Sequence, residues 1–263
     1  MLSETLGYRF SKASCSYQDN CAVQKRMAQR LVDCLPQSCH FGSVLEIGCG
    51  TGNLSQLVMT RLRPEHLCLN DLSEGMIDYC RQRFGQPHNI VYSCGDILKT
   101  DFDGKFDLII SNAVFQWIDD KLRLFKKLSS LMKENALLLY SDFLPDNFKE
   151  IKSVTGCSLP YTSNEDELDF LRINGFNARI CDTMISVKYK DPLTLLRSFR
   201  KQGVSGLSKS MWTKGRLDEF VKEYEQRFSA ENGDGVFLTW HPRYVVAEKR
   251  GSAGILSAAQ RTK

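Results

Sequence analysis

At 263 residues, with 42% hydrophobic and 25% charged side chains, the chain has ordinary globular composition and is long enough for one domain with a full core plus an added lobe. No apolar run approaches the roughly 20 residues a membrane span needs, and the start lacks a basic region followed by an apolar stretch, which predicts a cytoplasmic protein. The net charge of +4 is unevenly spread: from Lys188 to Arg216 eight basic residues face the single acid Asp191, so that window carries +7 and suits an acidic partner.

The ten cysteines are scattered without a Cys-x-x-Cys pair, which predicts reduced, mostly buried thiols. His40, His66, His88 and His241 are isolated from one another, so no metal site is expected.

In chain order, residues 8–18 show no clean period. Ala22, Val23, Met27, Leu31 and Leu35 then recur at helical spacing up to Pro36, and residues 1–36 are expected to form a helical arm. A strand at 44–47 runs into Gly48, Gly50 and Gly52, with a helix over 53–62 directly after. Glycine tolerates left-handed backbone and lets a ligand meet the main chain, so the amide-rich helix entrance is expected to face a bound molecule. Strands at 66–70, 90–93, 106–111 and 136–142 alternate with helices at 74–84 and 119–132. That alternation predicts an α/β fold, doubly wound about a mostly parallel sheet with both faces covered. Such sheets bind ligands beyond the carboxyl ends of their strands, where Gly48 to Gly52, Asp71, Asp96 and Asn112 all fall. The spacing from the glycines to Asp71 also suits a dinucleotide enzyme, but the loop does not spell Gly-x-Gly-x-x-Gly.

Beyond Asp142 a break is expected, then a helix at 164–173 capped by Ser163 and ended by Asn174 and Gly175, and an extended run over 177–189. Leu193, Leu195, Leu196 and Phe199 predict one short helix. Leu217, Phe220, Val221 and Tyr224 predict a second, opening at Thr213, before a final strand at 236–248. Residues 1–249 thus read as one domain. Residues 190–235 are expected to form a helical insertion placed to roof the crevice, and 250–263 a small, polar, mobile tail.

Glu46-Ile47-Gly48-Cys49-Gly50-Thr51-Gly52, Asn70-Asp71-Leu72-Ser73, Gly95-Asp96-Ile97 and Phe106 to Asn112, in this order, resemble the signature of class I S-adenosylmethionine-dependent methyltransferases. The resemblance implies a seven-stranded Rossmann-like sheet and S-adenosylmethionine as cofactor. It places the amides of Gly48, Cys49, Gly50 and Gly52 against the amino-acid end, Asp71 with Leu72 at the ribose, and Asp96 with Ile97 at the adenine. Glu46 and Asn112 fall by the methionine side, with Tyr17 of the arm as a lid. Asp71 also suits a helix cap near Ser73, and Asp96 a turn.

Tyr8 to Tyr17, Ser111 to Trp117, Leu196 to Gly203 and Phe237 to His241 further resemble the malonyl-acyl carrier protein O-methyltransferases of biotin synthesis. The acceptor this implies is a carboxylate, ionised at neutral pH with a pKa near roughly 4, which needs no general base to attack a sulfonium methyl. No catalytic triad is expected. Arg197 or Arg200 would orient the carboxylate, and Lys201, Lys209 and Lys214 would face an acidic carrier protein. Two other readings stay open: methylation of a free small acid, and a non-catalytic cofactor-binding partner whose basic lobe docks RNA. RNA readers interleave aromatics with base, and between Lys190 and Arg216 the only aromatics are Phe199 and Trp212.

Overall fold

The computed structural model describes residues 21–35, 40–201, 212–230 and 233–250. Tyr17, Lys209, the side chains of Arg200 and Lys201, and residues 251–263 lie outside the described residues.

Helix α1 (Ala22–Asp33) buries Val23, Met27, Leu31 and Val32 on one face, and the chain then enters β1 (Ser43–Ile47). Alternation along the strands divides the core. Val44, Leu108, Ile110 and Leu139 pack on the face that carries α1, whereas Leu45, Ile47, Ile109 and Leu138 pack on the opposite one. Helix α2 (Asn53–Leu57) loosens into a single π turn over Val58–Leu62, so the expected helix at 53–62 is α-helical for its first half only. Next come β2 (His66–Asp71), α3 (Glu74–Phe84), β3 (Ile90–Cys94), β4 (Phe106–Asn112), α4 (Lys121–Leu131) and β5 (Met132–Phe143). Ser73 caps α3 by accepting from the Met76 amide.

The main sheet runs β3-β2-β1-β4-β5-β9-β6, where β6 is Phe176–Asp182 and β9 is Pro242–Lys249. The first five strands are parallel, and β9 lies antiparallel between β5 and β6. Chain order reverses between β1 and β4, which opens a crevice at their carboxyl ends.

The carboxyl-terminal half departs from expectation in three ways. A short helix, α5 (Lys149–Thr155), occupies the expected break; it has only seven residues and starts after Phe148, whose φ of 59° is left-handed. The run 177–189 is two strands, with β6 in the main sheet and β7 (Ile185–Tyr189) outside it. The final strand is also two, because β8 (Val236–Trp240) pairs with β7 while β9 returns to the main sheet. At the junction His241 gives its amide to Asn147 Oδ1 and Pro242 has none to give, so one ladder cannot run through this pair. The added lobe therefore starts at β7, and carries α7 (Pro192–Lys201) and α8 (Lys214–Phe228). Helix α6 (Asn164–Ile173) and α8 are capped as expected by Ser163 and Thr213.

Where β5, β9 and α6 meet, the fully buried Arg243 guanidinium pairs with Asp142 (Nη2 to Oδ2 2.9 Å) and with Glu167 (2.8 Å), and donates to the Ser163 carbonyl (2.9 Å). Tyr140 donates to Glu167 at 2.6 Å. Removing one partner of such a set strands the remaining charges out of water. Asp142→Ala should lower the free energy of unfolding by about 3–5 kcal/mol in urea titrations, and a loss under about 1 kcal/mol would show that the cluster relaxes without it.

Candidate functional site

The loop after β1 holds Gly48, Gly50 and Gly52 at φ of 70°, 53° and 79°. A Cβ at Gly48 would lie 2.3 Å from Val114, and one at Gly52 would lie 2.5 Å from the Phe84 ring. These two glycines answer to the protein's own packing. Gly50 differs, because a Cβ there meets nothing within 4 Å and would stand in the open crevice.

The loop's amides are committed within the protein, contrary to the expectation that they face a ligand. Gly48 and Cys49 both donate to the Asn70 carbonyl (2.7 and 3.0 Å), Gly52 donates to Cys49, and Gly50 donates to Asp71 Oδ2 at 2.8 Å. The other Asp71 oxygen accepts from Ser73 at 2.9 Å, so Asp71 joins the glycine loop to the start of α3. Burial pushes its carboxyl above the ordinary value, opposed by the amides of Ser73, Gly50 and Leu72. Asn70 in turn donates to the carbonyls of Ser93 and Gly95 (both 3.1 Å), which ties in the loop that bears Asp96. Asp96 closes its own turn by accepting from Leu98 (3.0 Å). Asn112 donates to the Gln24 carbonyl (3.1 Å) and accepts from Ser141 (2.7 Å), and so tethers α1 to the crevice.

A cavity of about 440 Å³ opens here, within the size range of small-molecule sites. Gly48, Gly50, Asp71, Leu72, Asp96, Ile97 and Asn112 are among the residues that line it. Gln24 joins them, a residue that helical periodicity alone marks only as part of α1. A mutually packed aromatic group, Phe143, Phe148, Tyr161 and Trp240, forms another part of the wall, with Leu159, and is the aromatic end of the cavity. Phe148 is clamped between Trp240 (ring centroids 4.6 Å apart) and Phe199 (4.8 Å). Of the wall residues at this end only Trp240 falls in a segment that the sequence reading singled out; Phe143 closes β5, Phe148 precedes α5, and Leu159 and Tyr161 lie on a loop, where no periodicity marks them. Among the described residues the wall carries four aspartates (Asp71, Asp96, Asp119, Asp120) and no lysine or arginine.

Other expected site residues stand apart from the wall. Gly52 and Cys49 are not among the lining residues, and the Cys80 thiol donates to the Cys49 sulfur at 3.8 Å without a disulfide. Arg197 is exposed on α7, near enough to Asp191 to help hold that carboxyl below its ordinary value, after the larger effect of the Thr194 amide. Lys214 is exposed at the start of α8. No group of three or more potential metal ligands occurs among the described residues.

Glu46 is 1% exposed, and neither carboxylate oxygen has a hydrogen-bond partner in good geometry. Burial raises its pKa to about 8 from an ordinary 4.5, with the Ser55 hydroxyl and amide opposing. Between those two values the folded protein holds a proton that the unfolded chain has released, so Glu46 makes the fold less stable as pH rises from about 5 to 8. Glu46→Gln removes this dependence. Wild type should lose stability relative to the variant by up to about 1.4 kcal/mol per pH unit across that window, read from urea melts at pH 5, 6, 7 and 8; parallel curves would mean that Glu46 ionises normally.

A methyltransferase-domain family model matches residues 44–135, the segment from β1 into β5. A malonyl-acyl-carrier protein O-methyltransferase of Bacteroides fragilis is 34% identical over 93% of this chain, which spans half that protein's length. One from Calditerrivibrio nitroreducens is 33% identical over 91% of this chain and 94% of its own length. Among solved structures, YcgJ of Bacillus subtilis superposes with a TM-score of 0.62 at 14% identity, covering 86% of this chain and 98% of its own. Phosphoethanolamine N-methyltransferase 2 of Haemonchus contortus, solved with S-adenosyl-L-methionine, gives 0.58 at 16% identity, covering 92% and 57%. At those identities the two structures establish the class I methyltransferase fold. The full-length match to the Calditerrivibrio protein settles the family: this chain belongs to the malonyl-acyl-carrier protein O-methyltransferases.

Proposed function

We propose that this protein transfers a methyl group from S-adenosylmethionine to the free carboxylate of a malonyl group carried on an acyl carrier protein, giving the methyl ester that primes biotin synthesis. The observation that carries the reading is the charge of the cavity. A dinucleotide brings a diphosphate, which calls for free amides or basic side chains, and here the glycine-loop amides are committed and the wall bears four aspartates with no base among the described residues. A cationic ligand suits it. The open face of Gly50 leaves room for one against the main chain.

Asp71 and Asp96 would hold the ribose and adenine ends, with Asn112, Gly48 and Gly50 beside the amino-acid end and Glu46 behind them. S-adenosylmethionine supplies, when bound, an electrophilic methyl group on a positively charged sulfur. The acceptor carboxylate, already ionised, forms the oxygen–methyl bond as the sulfur–methyl bond breaks, and no proton moves. The protein's work is then alignment and exclusion of water, to which the aromatic end of the cavity contributes. Arg197 and Lys214, exposed on α7 and α8, belong in this reading to the surface that docks an acidic carrier, with Arg200, Lys201 and Lys209 continuing the same run of sequence. The eight described cysteines are free, and no described helix is long and apolar enough to cross a membrane, which supports a cytoplasmic setting.

Purified protein with S-adenosylmethionine should convert malonyl-carrier protein to its methyl ester, seen by mass spectrometry, and act far more slowly on free malonate. The carrier's advantage should shrink as salt is raised, and Arg197→Glu with Lys214→Glu should copy the salt effect. Equal rates on the two acceptors at every ionic strength would favour the small-acid reading. In the same protein, Asp71→Ala should abolish S-adenosylmethionine binding by calorimetry. It should also cost about 1–3 kcal/mol of stability, because the buried amides of Gly50 and Ser73 lose their acceptor; unchanged affinity would remove Asp71 from the site.

A further inference from the structure

The aromatic end of the cavity contains a hydroxyl, that of Tyr161, whose oxygen is committed as an acceptor by its neighbours. The main-chain amide of His241 can only donate, and it lies 3.0 Å from Asn147 Oδ1. That contact sets the orientation of the Asn147 amide, which is 1% exposed, and turns its Nδ2 toward the Tyr161 hydroxyl at 2.9 Å. An amide nitrogen donates, so the Tyr161 oxygen must accept. Its own hydrogen then has no acceptor among the described residues, while Tyr161 lines the cavity together with Phe143, whose ring centroid is 6.3 Å from its own. Burial raises the hydroxyl's pKa well above the ordinary tyrosine value, so the proton stays in place at any working pH.

Resting on the proposed reaction, we infer that Tyr161 is an acceptor-recognising residue whose hydroxyl, aimed by the His241 amide and Asn147, donates a hydrogen bond to the thioester carbonyl of the malonyl group. The chemistry selects the carbonyl over the carboxylate. A donor on the attacking carboxylate stabilises its charge before reaction and lowers its nucleophilicity. A donor on the carbonyl two carbons away fixes the same group in place and leaves both carboxylate oxygens free. A neutral hydroxyl in an apolar wall also discriminates well, because a ligand without the carbonyl leaves it unpaired.

The test compares two acceptors on the same carrier protein: malonyl thioester, and a 2-carboxyethyl thioether that keeps the carboxylate but has a methylene in place of the carbonyl. Tyr161→Phe should raise KM for the thioester about 10-fold, the worth of one neutral hydrogen bond. It should change kcat less than about 3-fold and leave KM for the thioether within about 2-fold. The dissociation constant of malonyl-carrier protein, measured with S-adenosylhomocysteine present, should weaken in parallel, with S-adenosylmethionine affinity unchanged. Asn147→Asp should reproduce the loss, since its carboxylate takes the hydroxyl's proton away from the cavity. Equal penalties on both acceptors would overturn the assignment to the carbonyl, and no penalty on either would overturn a role for Tyr161 while leaving the reaction intact. A wild-type protein that binds S-adenosylmethionine but cannot methylate malonyl-carrier protein would overturn the proposed function, and this assignment with it.

Discussion

The carboxylate of Asp71 fastens the crevice together. One oxygen takes the amide of Gly50 and the other the amide of Ser73, so the glycine loop and the first turn of α3 are held from a single buried group at the end of β2. Asn70 does the neighbouring work, accepting from Gly48 and Cys49 and donating to Ser93 and Gly95. Three loops that are distant in sequence thereby share two adjacent residues. Because each contact uses a backbone amide or carbonyl, the arrangement leaves the side chains around it free to differ, while the position of the main chain against a ligand stays fixed.

The same commitment of amides sets the charge of the site. Glycine loops at helix entrances bind anions when their N–H groups are unpaired and converge on the ligand. Here the turn is similar but the hydrogens of Gly48, Cys49, Gly50 and Gly52 are all used internally, and the surrounding wall is acidic. A three-glycine spacing alone cannot distinguish the two cases. The difference lies in Asn70 and Asp71, which supply the internal acceptors.

The amino-terminal half was legible because local pattern and tertiary role coincide there. Alternating residues of β1 and β4 divide between the two faces of the sheet, and the motif residues follow directly from strand ends. After β5 they part company. Phe148 begins α5 from a left-handed conformation that no propensity favours for phenylalanine, and His241 breaks what reads as one continuous strand. The aromatic end of the cavity is assembled at those two irregularities. Asn147, which orients Tyr161, carries no local sequence signal at all, since its partners lie 14 and 94 residues away. Arg197 shows the opposite limit: short-range similarity drew it toward the crevice, yet helical geometry buries Leu195 and Phe199 and leaves Arg197 on the solvent face.

That geometry links the surface of the lobe to the interior of the site. The backbone of Phe148 is strained by on the order of 1–2 kcal/mol, and persists because its amide donates to Thr239 (2.9 Å) and its ring is held between Trp240 and Phe199. Glu150, two residues on, takes both the amide and the hydroxyl of Thr239, at 3.0 and 2.6 Å. Helix α5 is therefore bolted to β8, and β8 pairs with β7 in the small sheet that carries α7 and α8. Phe199 belongs to α7, only two residues from the exposed Arg197. A load applied to α7 from outside passes through Phe199 to Phe148 and Trp240, which form the cavity wall. Close-packed interiors of this kind have low compressibility and transmit strain. The exposed face of α7 and the aromatic wall of the cavity are thus joined through one buried ring, Phe199, packed on Phe148.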